Sequence, residues 1–332
     1  MNLILTTRCA KGCSFCFTDD DDKKVNNEMD IDDAKMLLDN FYSRPKGPPN
    51  IKILGGEPTQ YSKFPEVLAM ILSDEYNKYP RQSLLVSNIL FNEATLNTIL
   101  DTDINRRLTF LVNGMELDER NRINLFKHNV AALGNVYNGV SIAITLADNK
   151  SLEYHKQYIK FLDESGVMLS VGNVRIGLDL SNTNIINNKK YGEIIKAYYE
   201  LAIKYKAGMN FDCQVPPCVF DKNDINDFLH GDPKNTFLST IIDINNPNKT
   251  FNCTTPAVDV MPDLKAEFCY QTIDTIAPIT NIMEYGKLLD VKQAFMSSYY
   301  DTMKIPSNVE CTSCTFFPSV CSGLCMGCTK GN

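Results

Sequence analysis

The feature that most constrains this chain is an alternation. Six short apolar runs have the length and composition of β-strands: Leu3–Thr6, Ile51–Leu54, Leu84–Ser87, Leu108–Val112, Val140–Leu146 and Leu169–Ile176. Stretches of helical periodicity lie between them. Asp30 stands where it can cap a helix whose apolar positions Ala34, Leu37, Leu38 and Phe41 follow i, i+3, i+4, i+7 spacing. Ser62 can cap another, with Phe64, Val67, Leu68, Ile71 and Leu72 on one face and Pro65 tolerated in the first turn. Tyr191, Ile194, Ile195, Tyr198, Ala202 and Tyr205 form a third such face. Strands joined through helices must run parallel, because a parallel return needs a long crossover. The fold class expected is α/β, with six such units making a barrel or part of one. Functional groups then belong in the loops after the strands.

The cysteines are the second constraint. There are twelve: three in the first 16 residues, none in the next 196, and nine between 213 and 328. The start, Met1-Asn2-Leu3-Ile4-Leu5-Thr6-Thr7-Arg8-Cys9, has no basic segment followed by a long apolar run, so it does not read as a signal peptide. No apolar stretch reaches the ~18 residues of a membrane span. A cytoplasmic protein is expected, with neither membrane nor nucleic acid as partner; a net charge of −7 offers no broad basic surface. In a reducing compartment, cysteines at this density point to metal ligation or catalysis rather than disulfides. The histidines, His128, His155 and His230, stand in no ligand spacing with one another. Thiolate is therefore the ligand available, which favours iron–sulfur clusters or zinc.

Two motifs follow the first two strands. Cys9-Ala10-Lys11-Gly12-Cys13-Ser14-Phe15-Cys16 is a C-x3-C-x2-C loop, with Gly12 letting it fold back. Three thiolates can hold three irons of a [4Fe–4S] cube and leave the fourth for a small chelating molecule. A structural zinc site wants four ligands, and no fourth cysteine or histidine is nearby. After the second strand comes Gly55-Gly56-Glu57-Pro58, whose glycines expose backbone to a ligand and whose Glu57 offers a carboxylate to an ammonium group.

In this order, each after a strand, the two motifs resemble those of the radical S-adenosylmethionine (SAM) superfamily. The resemblance covers roughly residues 1–210. It implies a partial (β/α)6 barrel in which Cys9, Cys13 and Cys16 hold a [4Fe–4S] cluster that binds the methionine part of SAM. It implies that Gly55, Gly56, Glu57 and Pro58 hold the SAM ammonium group. An electron from the cluster then cleaves SAM to a 5′-deoxyadenosyl radical, which takes a hydrogen atom from the substrate. By position, Ser87, Asn88 and Asn113 at strand ends are further candidates to touch the cofactor, and Arg175 to reach its carboxylate or the substrate.

A third region refines the class. Cys311-x2-Cys314-x6-Cys321-x3-Cys325-x2-Cys328 follows Cys253 and, after fifteen residues, Cys269; the stretch Met261–Cys269 has the look of a hairpin. Residues of about 250–332 are similar to the SPASM extension of radical enzymes that modify peptides and proteins. That likeness implies an auxiliary cluster on Cys253, Cys269 and Cys325, and a second on Cys311, Cys314, Cys321 and Cys328, making three [4Fe–4S] clusters in all. Leu264 replaces a hairpin glycine common in the family, and the Cys314–Cys321 gap is one residue longer than usual. By spacing alone, zinc suits four of these thiolates equally well. Cys213 and Cys218 stay open: either can complete the first auxiliary cluster, donate a hydrogen atom in catalysis, or pack as a buried thiol.

The plan expected is a barrel over 1–210, a connecting region over 211–250 and a cluster domain over 251–332. The function expected is hydrogen abstraction from a ribosomally made peptide or a protein, giving a crosslink, an oxidation or an epimerisation. A reductant such as flavodoxin or ferredoxin is the second partner implied. A small-molecule substrate is the alternative within the superfamily. An electron carrier or zinc-stabilised module is the alternative outside it, against which Gly55–Pro58 argues. The chain opens directly on its first strand, so no N-terminal peptide-recognition domain is expected. The run Asp19-Asp20-Asp21-Asp22-Lys23-Lys24 reads as a solvated loop.

Overall fold

The computed structural model describes residues 1–10, 13, 16, 27–43, 50–76, 82–114, 117, 122–147, 150–178, 189–212, 215–230, 238, 257–269, 276–303, 309–315 and 321. The strands are β1 (Asn2–Ile4), β2 (Asn50–Leu54), β3 (Gln82–Ser87), β4 (Leu108–Asn113), β5 (Val140–Leu146), β6 (Asn173–Leu178), β7 (Gly208–Phe211), β8 (Val258–Val260) and β9 (Ala266–Phe268). The main helices are α1 (Ile31–Tyr42), α2 (Phe64–Leu72), α3 (Glu93–Thr102), α4 (Ile123–Val136), α5 (Leu152–Glu164), α6 (Lys190–Lys204), α7 (Lys222–His230) and α8 (Leu288–Met303). The α/β class expected from the alternation is the one observed. None of the helices among the described residues is long and apolar enough to cross a membrane.

The chain divides into two units, Met1–Ser141 with Ala257–Ser298, and Ile142–Pro256 with Tyr299–Asn332. In the first, β1 pairs parallel with β2 (Leu3 opposite Ile53), β2 with β3 (Ile53 opposite Leu85) and β3 with β4 (Leu85 opposite Phe110). On its other side β1 pairs parallel with β8, Leu3 opposite Val260. Residues 257–298 thus extend the sheet that the N-terminal strands build. Leu3, Ile51, Ile53 and Leu85 are fully buried, as are Ala34, Leu37 and Leu38 of α1 and Val67, Leu68 and Ile71 of α2. Each such leucine or isoleucine contributes about 1.5–3 kcal/mol relative to exposure.

Helix starts follow local chemistry in one case and not in another. Asp30 caps α1, its carboxylate accepting from the Asp32 N–H at 2.8 Å. Ser62 does not cap α2, which begins after Lys63 without a side-chain cap; its N–H and hydroxyl instead donate to Glu28. The sixth strand also starts later than its apolar run suggests. Gly166 turns left-handed (φ +79) after α5, Val167–Ser170 form one 3-10 turn, and Leu169 is 79% exposed; pairing begins only at Asn173. An apolar run cannot by itself distinguish the turn from the strand it feeds.

In the second unit β6 and β7 pair in parallel, Arg175 opposite Asn210. Helix α6 buries Tyr191, Ile194, Ile195, Tyr198, Leu201 and Ala202. Asp163 of α5 ties the end of α6, accepting from Lys204 Nζ at 2.6 Å and from the Tyr205 hydroxyl at 2.7 Å. His155 is buried with Nδ1 3.1 Å from the Tyr198 hydroxyl; burial, with Lys190 and Lys150 nearby, lowers its pKa to about 4. It packs in the core of this unit.

The expected hairpin is present. β8 and β9 pair antiparallel, Val258 opposite Phe268, around the turn 261–265. Met261 N–H donates to Lys265 O at 2.8 Å, Leu264 N–H to Met261 O at 3.0 Å, and Leu264 has φ +65. The turn is closed by the bond from Leu264 to Met261 and ends on a left-handed residue, a position that favours glycine. Leu264→Gly should therefore raise stability by about 0.5–1 kcal/mol, read as a higher midpoint in chemical denaturation with unchanged slope. A lower midpoint would show that the Leu264 side chain holds the hairpin more than its backbone strains it.

Candidate active site

The stem of the three-cysteine loop is built by backbone. Beyond β1 the chain still runs beside β2: Leu5 N–H donates to Leu54 O at 3.1 Å, Gly56 N–H to Thr6 O at 2.8 Å and Glu57 N–H to Arg8 O at 2.8 Å. The returning segment 27–29 closes the loop from the other side, with Thr7 N–H on Asn27 O at 3.0 Å and Met29 N–H on Leu5 O at 2.9 Å. Cys9, Cys13 and Cys16 thus sit on one loop whose two ends are bonded to each other. Cys9 and Cys13 are half-buried and Cys16 is exposed, with Cys16 N–H on Cys13 O at 3.1 Å. Among the described residues, no three His, Cys, Asp or Glu side chains converge closely enough to hold a metal ion. The donor set nevertheless suits an iron–sulfur cluster with one iron left to another ligand.

This geometry gives the glycines a structural role beside the one expected of them. A Cβ on Gly55 would meet Thr6 O at 2.4 Å, and one on Gly56 would meet Arg8 O at 2.2 Å and Thr7 O at 2.5 Å. Gly55 also has φ +148. The glycines are small because the stem of the cysteine loop passes against them, and the Gly56 N–H is used on that stem rather than shown to a ligand.

Glu57 lies at the centre. It is 2% exposed, between the stem and the end of β3. Its Oε1 accepts from Ser87 Oγ at 2.8 Å, Thr59 Oγ1 at 2.7 Å and Thr59 N–H at 3.2 Å; its Oε2 accepts from Asn88 N–H at 2.8 Å. Burial pushes the carboxyl above its ordinary value, while the Thr59, Asn88 and Ser87 donors pull the other way. A carboxylate has about four lone-pair directions, so Oε2, with one donor, retains capacity. The arrangement is a buried carboxyl held by neutral donors, which in its ionised form suits a cation.

The sequence profile of the radical SAM superfamily matches residues 3–161. The chain carries a radical SAM domain. Members of that superfamily are enzymes that use a [4Fe–4S] cluster and SAM. No curated protein sequence matches the chain. Among solved structures, SuiB of Streptococcus suis bound to S-adenosylmethionine is similar over 98% of this chain and 70% of its own, at 16% identity and TM-score 0.59. Native anSMEcpe with bound AdoMet and the Kp18Cys peptide is similar over 99% and 89%, at 12% identity and TM-score 0.61. These likenesses show a shared fold.

Within the radical SAM domain, Ser87 and Asn88 meet Glu57 as described, whereas Pro58 is buried at the start of a 3-10 turn and Asn113 is half-buried at the end of β4. Arg175 lies beyond the matched residues, its Nε 2.8 Å from Asp212 Oδ1 but off the hydrogen-bond direction. Thr59 and Asn129 were not anticipated. Thr59 stands two residues after a carboxylate, a spacing that closes a side-chain turn. Asn129 occupies the apolar stripe Phe126, Asn129, Val130, Leu133 of α4, where a lone polar residue is the visible signal.

Of the remaining cysteines, Cys218 is half-buried in the 3-10 turn Pro217–Val219. Cys269 is half-buried just after β9 with φ +60, and its N–H donates to Ala257 O at 2.9 Å. Cys311 and Cys314 share a turn, Cys314 N–H on Cys311 O at 3.1 Å, and Cys321 is buried. Cys213, Cys253, Cys325 and Cys328 lie outside the described residues, as does the charge run at 19–24.

Proposed function

We propose that this enzyme modifies a ribosomally made peptide or a protein by radical hydrogen abstraction. The observation that carries the chemistry is the buried carboxylate of Glu57, a residue whose backbone N–H donates to Arg8 O on the stem of the Cys9–Cys16 loop. When bound and reduced, a [4Fe–4S] cluster would supply the electron for cleaving SAM into methionine and a 5′-deoxyadenosyl radical. Cys9, Cys13 and Cys16 hold that cluster. Glu57 receives the SAM ammonium group on Oε2, while Ser87, Thr59 and Asn88 fix the carboxylate. Gly55 and Gly56 let the cluster loop pass close enough for one ligand to touch both. Asn113 and Arg175 are further contacts for cofactor or substrate.

The peptide substrate is supported by the full-length likeness to anSMEcpe, a protein solved with a peptide and AdoMet. In this reading Cys253, Cys269 and Cys325 serve one auxiliary cluster, and Cys311, Cys314, Cys321 and Cys328 the other. Cys213 or Cys218 completes the first or acts as a hydrogen donor, and a flavodoxin or ferredoxin delivers the electron.

Anaerobic reconstitution should give about twelve irons and twelve sulfides per chain, for three [4Fe–4S] clusters. Reduced enzyme should then convert SAM to 5′-deoxyadenosine. Zinc with only about four irons would remove the auxiliary clusters from the scheme. A short peptide encoded beside this chain should lose a hydrogen pair on crosslinking, or take up deuterium from heavy water on epimerisation. No change in that peptide would turn the assignment toward a small-molecule substrate.

A further inference from the structure

The loop that leaves β3 is strained, and a buried side chain from another element holds it. Ile89 has φ +50 and is fully buried. For a β-branched residue this left-handed conformation is an outlier that persists only where surroundings enforce it. The turn it makes aims its neighbours at one carboxylate. Ile89 N–H donates to Ser87 Oγ at 2.9 Å, and that hydroxyl donates to Glu57 Oε1 at 2.8 Å. Asn88 N–H donates to Glu57 Oε2 at 2.8 Å, and Leu90 N–H donates to Asn88 Oδ1 at 2.9 Å.

Asn129 of α4 closes the far side. It is fully buried, and its Nδ2 donates to Ile89 O at 2.6 Å and to Phe91 O at 2.9 Å. Both amide protons are thereby spent on carbonyls two residues apart, which fixes the peptide plane after Ile89. A leucine would suit this stripe of α4 better by burial alone, since a buried amide is tolerated only where it is bonded. Asn129 carries that cost at the strained loop.

We propose that Asn129 is a positioning residue for the SAM site: it locks Ile89 in the left-handed conformation and so keeps Ser87 and Asn88 on Glu57. The inference rests on the reading of Glu57 as the receiver of the SAM ammonium group. Asn129 touches no ligand itself. Its effect falls on affinity for SAM rather than on the chemistry that follows.

The test is a double-mutant cycle on the reconstituted holoenzyme, with SAM affinity measured by anaerobic equilibrium dialysis and the SAM cleavage rate at saturation measured beside it. Asn129→Leu should weaken SAM binding roughly tenfold with little change in the saturated rate. In an Ile89→Gly background the same substitution should cost much less, because glycine adopts φ > 0 without a clamp. Should Asn129→Leu not fold, Asn129→Asp keeps the shape and, when ionised, cannot donate. Wild-type affinity in the Asn129 variants, or an equal loss in both backgrounds, would overturn the proposal. Glu57→Gln measured alongside separates the two failures. If Glu57→Gln weakens binding and Asn129→Leu does not, the positioning role alone is lost; if Glu57→Gln binds as wild type, the ammonium reading fails and takes the proposal with it.

Discussion

Alanine at Cys9, Cys13 or Cys16, one at a time, should abolish cleavage of SAM while leaving the fold intact. The two halves of that expectation have separate causes. The fold survives because the loop stem is tied by backbone bonds, Gly56 to Thr6 and Glu57 to Arg8, and by the return of Thr7 and Met29 onto segment 27–29 and Leu5. None of these uses a thiol. The cysteine side chains are half-buried or exposed, so truncation leaves no closed cavity. The activity falls because two thiolates cannot anchor a cube that already has only three protein ligands. Turnover to 5′-deoxyadenosine should drop by on the order of a thousandfold or more, and bound iron by about four per chain. Circular dichroism should be unchanged. Cleavage surviving any of the three substitutions would remove the loop from the mechanism.

Glu57→Gln should weaken SAM binding by roughly 30-fold to a few thousandfold, the cost of truncating one side of a buried, hydrogen-bonded charge pair. The amide nearly matches the carboxylate in size, so the loss is one of charge rather than shape. A pH signature distinguishes this from a loss of packing. Burial raises the Glu57 carboxyl above its ordinary value, so the folded apo chain holds this proton more tightly than the unfolded chain. Its contribution to stability is then present below the unfolded value and is lost as pH rises through the folded one. The apo unfolding temperature of the natural chain should accordingly fall relative to that of Glu57→Gln across this window. SAM affinity should move oppositely, rising with pH as the carboxylate forms. Parallel pH profiles for the two chains would show that Glu57 does not titrate as a buried acid.

Much of the site was legible because its parts are local. Three thiols within eight residues, or Gly-Gly-Glu-Pro after an apolar run, are patterns that one loop contains in full. The hairpin at 258–268 was visible for the same reason, and Leu264 marked where its backbone is strained. What depended on distant residues was not visible. The requirement for glycine at 55 and 56 comes from Thr6, Thr7 and Arg8, some fifty positions earlier, and no local pattern records that approach. Ser62 has the chemistry of a helix cap, but Glu28 offered its hydroxyl a carboxylate and the helix began without it.

By itself the sequence determined the α/β class, the position of the cysteine loop after the first strand and the thiols that the candidate site offers. Strand and helix periods are written residue by residue, and ligand type is side-chain identity. Only the tertiary structure decided how these parts work on one another. It buried Glu57 among Ser87, Thr59 and Asn88, set Asn129 against the strained Ile89, and brought residues 257–298 beside β1. Apart from Thr59, which lies two residues from Glu57, each of these joins positions far apart in the chain. Their energy arises from burial and hydrogen bonding that exist only once the sheet has formed.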